Sequence, residues 1–436
     1  MQKYDTAVIG GGMAGLIASI ELAKGGNSVV LLEKSNRLGG RAMTNYKNGV
    51  YFNLGGHALY RAGRAYSILQ ELGVRIEGGA PALKINAIWN NGIVPLPADP
   101  ANLFTSKLLS WSGKMNLMRL LLKLNKMNTN ALPVASIREW AEREIHDPMV
   151  RHIFYALCRT ATYTLDPDFQ LASAALAQIQ RSLKGVLYVN GGWQAIIDQL
   201  REIALRSGVC IFNGKHVKEI HHEADRVSKL VFTDDDHIEI SNVISTAGPS
   251  ETYKLVQGGD TTVLKRWVME ARPSMAAVLD IGLKKLPVEG RHVAVGLDQP
   301  IFFSHHTYRA KLSDNGAFVV HLVKYNGPGE SDPKTDERVL TAAMAQLHPG
   351  WEQEVVARQF LPNITVVHDH LHLGKIDTTT GPAVPGIQGL YVAGDWVSHG
   401  EMLADASAAS ARRAAAAILQ ESRQSIKPQG SQILAI

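Results

Sequence analysis

An α/β fold is what this sequence predicts, and three observations predict it. A short apolar run, Thr6–Ile9, stops at glycines and is followed by a segment with apolar residues at helical spacing, Leu16–Ala23. A second apolar run, Ser28–Leu32, ends on an acid, Glu33. Much later, Asn242-Val243-Ile244-Ser245-Thr246-Ala247-Gly248-Pro249 reads as another apolar strand running into a glycine, as strands ending at a bound ligand do.

The first unit reads strand, glycine turn, helix, strand, acid. Its turn is Gly10-Gly11-Gly12-Met13-Ala14-Gly15, a GxGxxG pattern. Gly10 permits the tight turn, Gly12 lets the backbone approach a pyrophosphate, and Gly15 lets the helix pack on the strand. The helix N-terminus, with Met13 and Ala14, then offers its amides and partial positive charge to the phosphates. Glu33 stands 33 − 15 = 18 residues past Gly15, near the spacing of about 20 expected of a ribose-binding acid. Its carboxylate accepts ribose hydroxyls and repels a 2′-phosphate, which argues against NADP.

Beyond Glu33 and Lys34 the chain departs from a plain NAD dehydrogenase. Arg37-Leu38-Gly39-Gly40-Arg41 supplies a second turn and a guanidinium suited to pyrophosphate oxygens. Asn53-Leu54-Gly55-Gly56-His57 supplies a third, open to close approach by a flat ring system.

These motifs resemble the FAD-dependent flavin amine oxidase superfamily, which includes phytoene desaturases and protoporphyrinogen oxidases. Four stretches carry the resemblance: Gly10–Glu33; Arg37–Thr44 with Asn53–Gly56; Asn190-Gly191-Gly192-Trp193; and Gly389–Trp396 with the helix opening near Asp405. The resemblance implies a Rossmann-like, glutathione-reductase-like FAD-binding domain interleaved with a mixed sheet-plus-helices substrate domain. It implies that Gly10, Gly12, Met13, Ala14 and Gly15 meet the FAD pyrophosphate, that Glu33 and Lys34 lie at the adenosine, and that Gly40 and Arg41 lie near the pyrophosphate and ribityl chain. It further implies that Gly55, Gly56 and His57 run along the flavin. Val217 would meet adenine through its backbone, Gly394 and Asp395 would bind the ribityl or phosphate part, and Leu403, Ala404, Asp405 and Ala406 would aim backbone amides at the flavin pyrimidine. A helix N-terminus there stabilises negative charge on the ring. The sequence departs from the superfamily at Asn53, often an aspartate, and at Asp405-Ala406, often Glu-Gly.

The implied reaction is hydride removal from a hydrophobic small molecule, with oxygen or another acceptor taking the electrons. The segments Gly296–His305 and Val320–Tyr325 look closer to phytoene-dehydrogenase-like members than to amine oxidases. Amine oxidation is the alternative, and a non-catalytic FAD-binding protein is the alternative of another class. The catalytic residue is unassigned. Lys284, after the strand Ala277–Leu283, is the one candidate for a lysine near the flavin, and is otherwise a surface lysine at a strand end.

The interleaving places residues 1–83, 185–261 and 373–420 in the FAD-binding domain and 84–184 and 262–372 in the substrate domain. The segment 84–184 reads as helix-rich, and 421–436 as a loosely ordered tail. With 45% hydrophobic and 19% charged residues among 436, the composition is that of a soluble globular protein. Two cysteines, Cys158 and Cys210, exclude a disulfide framework and point to a reducing compartment. His368-Asp369-His370-Leu371-His372 reads as a strand with three histidines on one face, a solvated or satisfied polar face rather than a metal site. The net charge of +5 has no long basic run behind it, which speaks against nucleic acid. No signal peptide and no run of 18 apolar residues is found, so a cytoplasmic location is expected. One basic, leucine-rich stretch, 103–126, has the character of a helix that can lie on an anionic membrane or form a face of the substrate domain.

Overall fold

The computed structural model describes residues 4–97, 103, 106–376 and 380–426. The chain opens with β1 (Thr6–Ile9), α1 (Met13–Lys24) and β2 (Val29–Glu33). A hairpin follows, β3 (Thr44–Lys47) and β4 (Val50–Asn53), then β5 (Leu59–Tyr60), α2 (Arg64–Leu72) and β6 (Gly78–Gly79). Strands β7 (Asn86–Trp89) and β8 (Gly92–Pro95) lead into four helices: α3 (Trp111–Lys126), α4 (Ile137–Glu144), α5 (Pro148–Thr162) and α6 (Ala172–Leu183). The chain returns through β9 (Val186–Val189), α7 (Gln194–Arg206) and β10 (Cys210–Asn213) to an antiparallel trio, β11 (Val217–Glu223), β12 (Arg226–Phe232) and β13 (His237–Glu239). Next come β14 (Asn242–Ser245), α8 (Pro249–Leu255) and α9 (Val263–Glu270). The longest strands follow: β15 (Ser274–Leu283), β16 (Val293–Gly296), β17 (Ile301–His305) and β18 (Phe318–Asn326), then α10 (Pro333–Leu347) and β19 (Val355–Val367). The chain closes with β20 (Leu390–Val392) and α11 (Leu403–Ile426).

Two main sheets organise these elements. The first is parallel, in the order β10-β2-β1-β14-β20. Its central strands are buried throughout and mostly apolar because both faces are covered. One face packs on α1, α7 and α11 through Leu16, Ile17, Ile20, Ile197, Ala411 and Ala415. Arg412 of α11 fixes its helix to α1 by pairing with Glu21 at 2.7 Å. The second sheet is mixed, in the order β19-β15-β18-β17-β16-β7-β8, with only β16 and β7 parallel. Along β15 the odd positions Ala277, Leu279 and Ile281 pack on α10. The even positions Ala276 and Val278 pack toward the α4–α6 helices. That alternation follows from the period of two in a strand.

Four expectations are corrected. The segment 84–184 is not helical from its start: β7 and β8 complete the second sheet, because Asn86–Trp89 alternates onto β16. The helix closing the chain does not stop at Gln420 but runs on to Ile426; residues 427–436 lie outside the described part. The stretch 103–126 is no single helix. Ser110 Oγ accepts the Gly113 amide at 3.1 Å and starts α3 at Trp111, with 106–110 irregular before it; residues 104 and 105 lie outside the described part. The histidine run is no strand, since β19 ends at Val367 and the three side chains turn to different partners. His368 faces Asp395, His370 faces Asp166, and His372 Nδ1 accepts the Gly374 amide at 3.1 Å.

Candidate functional site

The glycine turn sits where β1 gives way to α1, at the carboxyl end of the parallel sheet. Gly10 has a φ of +105°, a conformation that a side chain resists. Thr246 at the end of β14 closes over it, donating its Oγ1 proton to the Ile9 carbonyl at 2.8 Å. Gly12 caps α1 without any side-chain acceptor, so the first-turn amides remain for a ligand. A Cβ on Gly12 would meet only the Gly39 carbonyl, at 3.7 Å; the Arg37–Arg41 turn bridges to the first glycine turn, the Gly39 amide donating to the Gly11 carbonyl at 2.9 Å, and the backbone at the α1 N-terminus stays open to a ligand. Glu33 ends β2 beside them. Its Oε2 accepts the Gly11 amide at 2.7 Å and its Oε1 accepts the Ser35 amide at 2.8 Å. Lys34 is exposed next to it. Lys215, two residues before Val217, donates its amide to the Glu33 carbonyl at 3.0 Å, so Val217 and Glu33 share one end of the site.

At the opposite end Arg41 and Asp395, 354 residues apart in the chain, form a two-armed pair. Arg41 Nη1 reaches Asp395 Oδ2 at 3.0 Å and the Val366 carbonyl at 2.8 Å. His368 adds its amide to Asp395 Oδ2 at 2.6 Å and Nδ1 to Oδ1 at 3.1 Å. Burial alone would raise the Asp395 carboxyl, but the Arg41 guanidinium and His368 hold it far below the usual carboxylate range. Gly394, just before it, is tied to α11 because Ser410 Oγ accepts its amide at 2.9 Å.

Gly55 and Gly56 cross the face of the second sheet. Cβ atoms there would meet Ile364 and Val278, and Val323, at 3.2 to 3.8 Å. The Tyr163 hydroxyl donates to the Gly56 carbonyl. His57 lies edge-on to Trp193, ring centroids 4.9 Å apart. Its Nδ1 is 3.0 Å from the Gly55 carbonyl, which can only accept, so Nδ1 carries the proton. Burial pulls the His57 ring down, keeping it neutral.

Leu403 opens α11 with a φ of +56°, a strained conformation for a side chain of its size, and Ala404 follows. Asp405 does not face the ring segment with its carboxylate. Its Oδ1 accepts the Ala65 amide at 2.9 Å and so caps α2, and a Cβ on Gly63 would strike this carboxylate at 2.3 Å. Its Oδ2 is buried without a partner, and burial pushes the group up to about 6. An acid raised in this way favours folding most below its ordinary value of about 4 and loses that contribution as pH rises through about 6. Asp405→Asn keeps the acceptor for Ala65 and removes the ionisation. Relative to the parent it should gain about 1 kcal/mol in urea-unfolding free energy between pH 5 and pH 8; a pH-independent difference would show that Asp405 does not titrate in that range.

Lys284 is not brought to this site. It is exposed just past the end of β15, with its amide on the Glu354 carbonyl at 2.8 Å. Six residues separate it from Val278 at Gly55, roughly 20 Å along a strand. Tyr163, Thr246 and His368 were missed by sequence reasoning. Each acts through a partner distant in the chain, and only Tyr163, with a φ of +59° at the end of α5, has a local peculiarity.

The glycine turn, Glu33 and the pair of half-exposed Arg41 with buried Asp395 gather at one edge of the parallel sheet, an arrangement suited to a flavin dinucleotide. Residues 13–275 match the family model described as flavin containing amine oxidoreductase. The chain belongs to that family. It is 29% identical over 168 residues to protoporphyrinogen oxidase 2 of Arabidopsis thaliana, covering 37% of this chain and 33% of that one. It is 23% identical over 316 residues to a 1-hydroxycarotenoid 3,4-desaturase of Flavobacterium sp., covering 64% and 63%. The chain thus spans between a third and just under two thirds of the length of these curated relatives. An oxidoreductase from Methanosarcina mazei shares the fold with a TM-score of 0.77 at 20% identity, over 94% of this chain and 99% of that one.

Proposed function

We propose that this oxidoreductase removes hydride from a C–H bond of a hydrophobic small molecule, in the manner of a desaturase or dehydrogenase. The observation that carries this reading is that the nearest neighbours of Gly55 and Gly56 are the apolar side chains of Val278, Val323 and Ile364, with the Tyr163 hydroxyl and the edges of His57 and His321 beside them. Apolar walls bind a lipophilic chain by excluding water and leave orientation to a few polar groups. FAD, when bound, accepts the hydride; the chain's part is to hold the ring and keep water out. Gly10, Gly12, Met13, Ala14 and Gly15 hold the pyrophosphate and Glu33 the ribose, with Lys34 and Val217 at the adenosine. Gly40, Arg41, Gly394 and Asp395 hold the middle of the cofactor, and Gly55, Gly56, His57 and Leu403–Ala406 its ring. Residues 1–83, 185–261 and 373–420 make up the cofactor part, and 84–184 with 262–372 the substrate part. The carotenoid desaturase relative supports the same substrate character.

Oxygen or another acceptor takes the electrons. Amine oxidation is the second reading, favoured by the family description. Among the described residues no helix is long and apolar enough to cross a membrane. Helix α3 nonetheless presents Trp111 and Leu122, 66% and 56% exposed, beside Arg119, Lys123 and Lys126, a pattern suited to peripheral contact with an anionic bilayer at the cytoplasmic side.

The test is anaerobic titration of the FAD-loaded protein with polyenes, porphyrinogens and amines, followed by flavin absorbance. Bleaching by a polyene or porphyrinogen is the expected result. Bleaching by amines alone, with aldehyde and peroxide formed in air, would replace the first reading by the second. A spectrum unmoved by every donor would count against both.

A further inference from the structure

Forming a double bond removes two hydrogens from neighbouring carbons. One leaves as hydride and takes its electron pair with it. The other leaves as a proton, and the pair of that C–H bond becomes the new π bond. FAD, when bound, receives the hydride. The proton needs an acceptor among the chain's own side chains, and the apolar neighbours of Gly55 and Gly56 offer none.

His57 has the position and the lone pair for it. Its Nδ1 donates to the Gly55 carbonyl at 3.0 Å, so in the neutral ring the lone pair sits on Nε2. No donor among the described residues is bonded to that Nε2, and the ring is half-buried. His306 and His321, by contrast, are fully buried with their own Nε2 atoms shut in. The His57 Cε1, between the two ring nitrogens, lies 4.0 Å from a Cβ placed on Gly55. Ile364 and Val278 meet the same point at 3.2 and 3.8 Å. The basic edge of the ring therefore borders the apolar part of the site, where a lipophilic chain would lie.

The surroundings suit both states of the ring. Burial, with a smaller push from His321, pulls it down and leaves it neutral and able to accept. The Gly55 and Arg41 carbonyls and the Asp280 carboxylate act the other way and favour the ring once it carries a second proton. Asp280 of β15 and His321 of β18 stand opposite one another, fully buried, with Nδ1 2.5 Å from Oδ1. Gln359 Nε2 donates to Asp280 Oδ2 at 2.8 Å and to the Asn53 carbonyl at 3.0 Å, tying the pair to the segment that leads to His57. His306, its ring centroid 4.1 Å from that of His321, is held neutral by burial. A buried carboxylate–histidine pair adds little stability over apolar side chains of similar size. Its place in this sheet, beside Val278 and Val323, is explained by the charge it presents to His57.

We propose that His57 is the catalytic base of the desaturation, taking the substrate's proton on Nε2, and that Asp280 and His321 are positioning residues that steady the charged ring. This rests on the reading of the chain as a desaturase with its flavin along Gly55 and Gly56.

The first test needs no substrate. The FAD-loaded protein is reduced with dithionite at pH 5 to pH 9, with a reference dye reporting the potential. Each proton taken up with the electron pair changes the ratio of reduced to oxidised flavin, at fixed potential, about tenfold per pH unit. Reduction places charge beside His57 and should draw one proton onto it. His57→Gln can still donate to the Gly55 carbonyl but takes no proton. Over part of the range the ratio should therefore change about tenfold more per pH unit in the parent than in His57→Gln. The second test uses whichever polyene or porphyrinogen bleaches the parent's flavin. His57→Gln should bleach at least about a hundredfold more slowly and lose the rise of rate with pH that a neutral base gives the parent. Equal proton uptake in parent and His57→Gln, or bleaching of His57→Gln at the parental rate, would overturn the proposal. Should His57→Gln fail to fold, Asp280→Asn takes its place. It should move the extra proton uptake about one pH unit lower, and an unmoved profile would overturn the proposal. A protein that takes up no FAD would refute the oxidoreductase reading itself. Bound FAD that no donor bleaches would go against the desaturase reading, while the proton uptake would still decide whether His57 holds a proton beside the flavin.

Discussion

Gly12→Ala should fold like the parent and lose FAD, whereas Gly15→Ala should lose the fold. The two glycines stand three residues apart in one turn, yet their surroundings differ sharply. A Cβ on Gly15 would lie 1.9 Å from the Gly10 carbonyl oxygen and 3.1 Å from its carbon. That backbone cannot retreat. The Gly10 amide is bonded to the Leu32 carbonyl at 2.8 Å, its φ is +105°, and Thr246 closes over it from the far side. Overpacking against main chain at the centre of the parallel sheet should cost about 4 kcal/mol or more, a large part of the roughly 5–15 kcal/mol that holds a domain together. On Gly12 the same methyl meets nothing closer than 3.7 Å. Its cost to the apoprotein should stay within about 0.5 kcal/mol, but it stands in the gap at the N-terminus of α1 that the proposed pyrophosphate would cross. FAD affinity should therefore drop by about a hundredfold, roughly 2.7 kcal/mol. Urea unfolding of the apoproteins and FAD titration of each variant separate the two effects. Parental FAD affinity in Gly12→Ala would mean that the pyrophosphate does not cross that gap, and parental stability in Gly15→Ala would mean that α1 is not seated as described.

The same contrast explains what could be read in advance. The unit from Thr6 to Glu33 is local: strand, turn, helix and acid follow one another, and the physics that joins them acts over a few residues. Its structure matches the reading closely, down to the placing of Glu33 beside the turn. Arg41 and Asp395 were each assigned to the middle of the cofactor, but nothing in the sequence said that they bind each other, because the pairing depends on β20 lying two strands from β1. Strands β7 and β8 escaped notice for a related reason. They are four residues each; β7 is fixed by pairing with β16, some 200 residues later, and β8 pairs with β7. The histidine run failed differently: its alternation imitates a strand, but β19 ends at Val367, and His368 turns to Asp395 while His370 lies by Asp166, so the period of two is not kept. Lys284 stands where the second of its two readings put it, exposed just past the end of β15, because that strand runs on beyond the segment at Gly55, a distance that motif matching does not measure.

Asp395→Asn should be the most damaging single polar substitution at the site, and its effect should fade in acid. The Asp395 side chain is only 3% exposed and takes two contacts from Arg41 and two from His368. Every one of these partners donates to it. An amide in its place would aim its own N–H groups at some of them, leaving buried donors unpaired and an arginine without its counter-charge. Breaking such a pair costs about 3 kcal/mol, toward the lower end because Arg41 itself is 43% exposed and water takes up part of its charge. The sign with pH follows from the direction of the shift. Asp395 is held far below the ordinary carboxylate value by Arg41 and His368. Its contribution is therefore complete above about pH 4, where the unfolded carboxyl is ionised, and declines as pH falls further toward the folded value. Parent and variant should differ fully at pH 7 and still at pH 5, and converge between about pH 4 and pH 2. Urea unfolding of both apoproteins across that range reads the difference directly. A gap that stays constant down to pH 2 would mean that shape and hydrogen bonding, not the carboxylate charge, hold Arg41 in place. Arg41 would then owe its position to the Val366 carbonyl and the Gly39-Gly40 turn, and Asp395→Asn should bind FAD as the parent does. If the gap closes as expected, the charge itself orients Arg41, and the same variant should bind FAD about tenfold more weakly at pH 7, because the guanidinium proposed to meet the middle of the cofactor is no longer held in place.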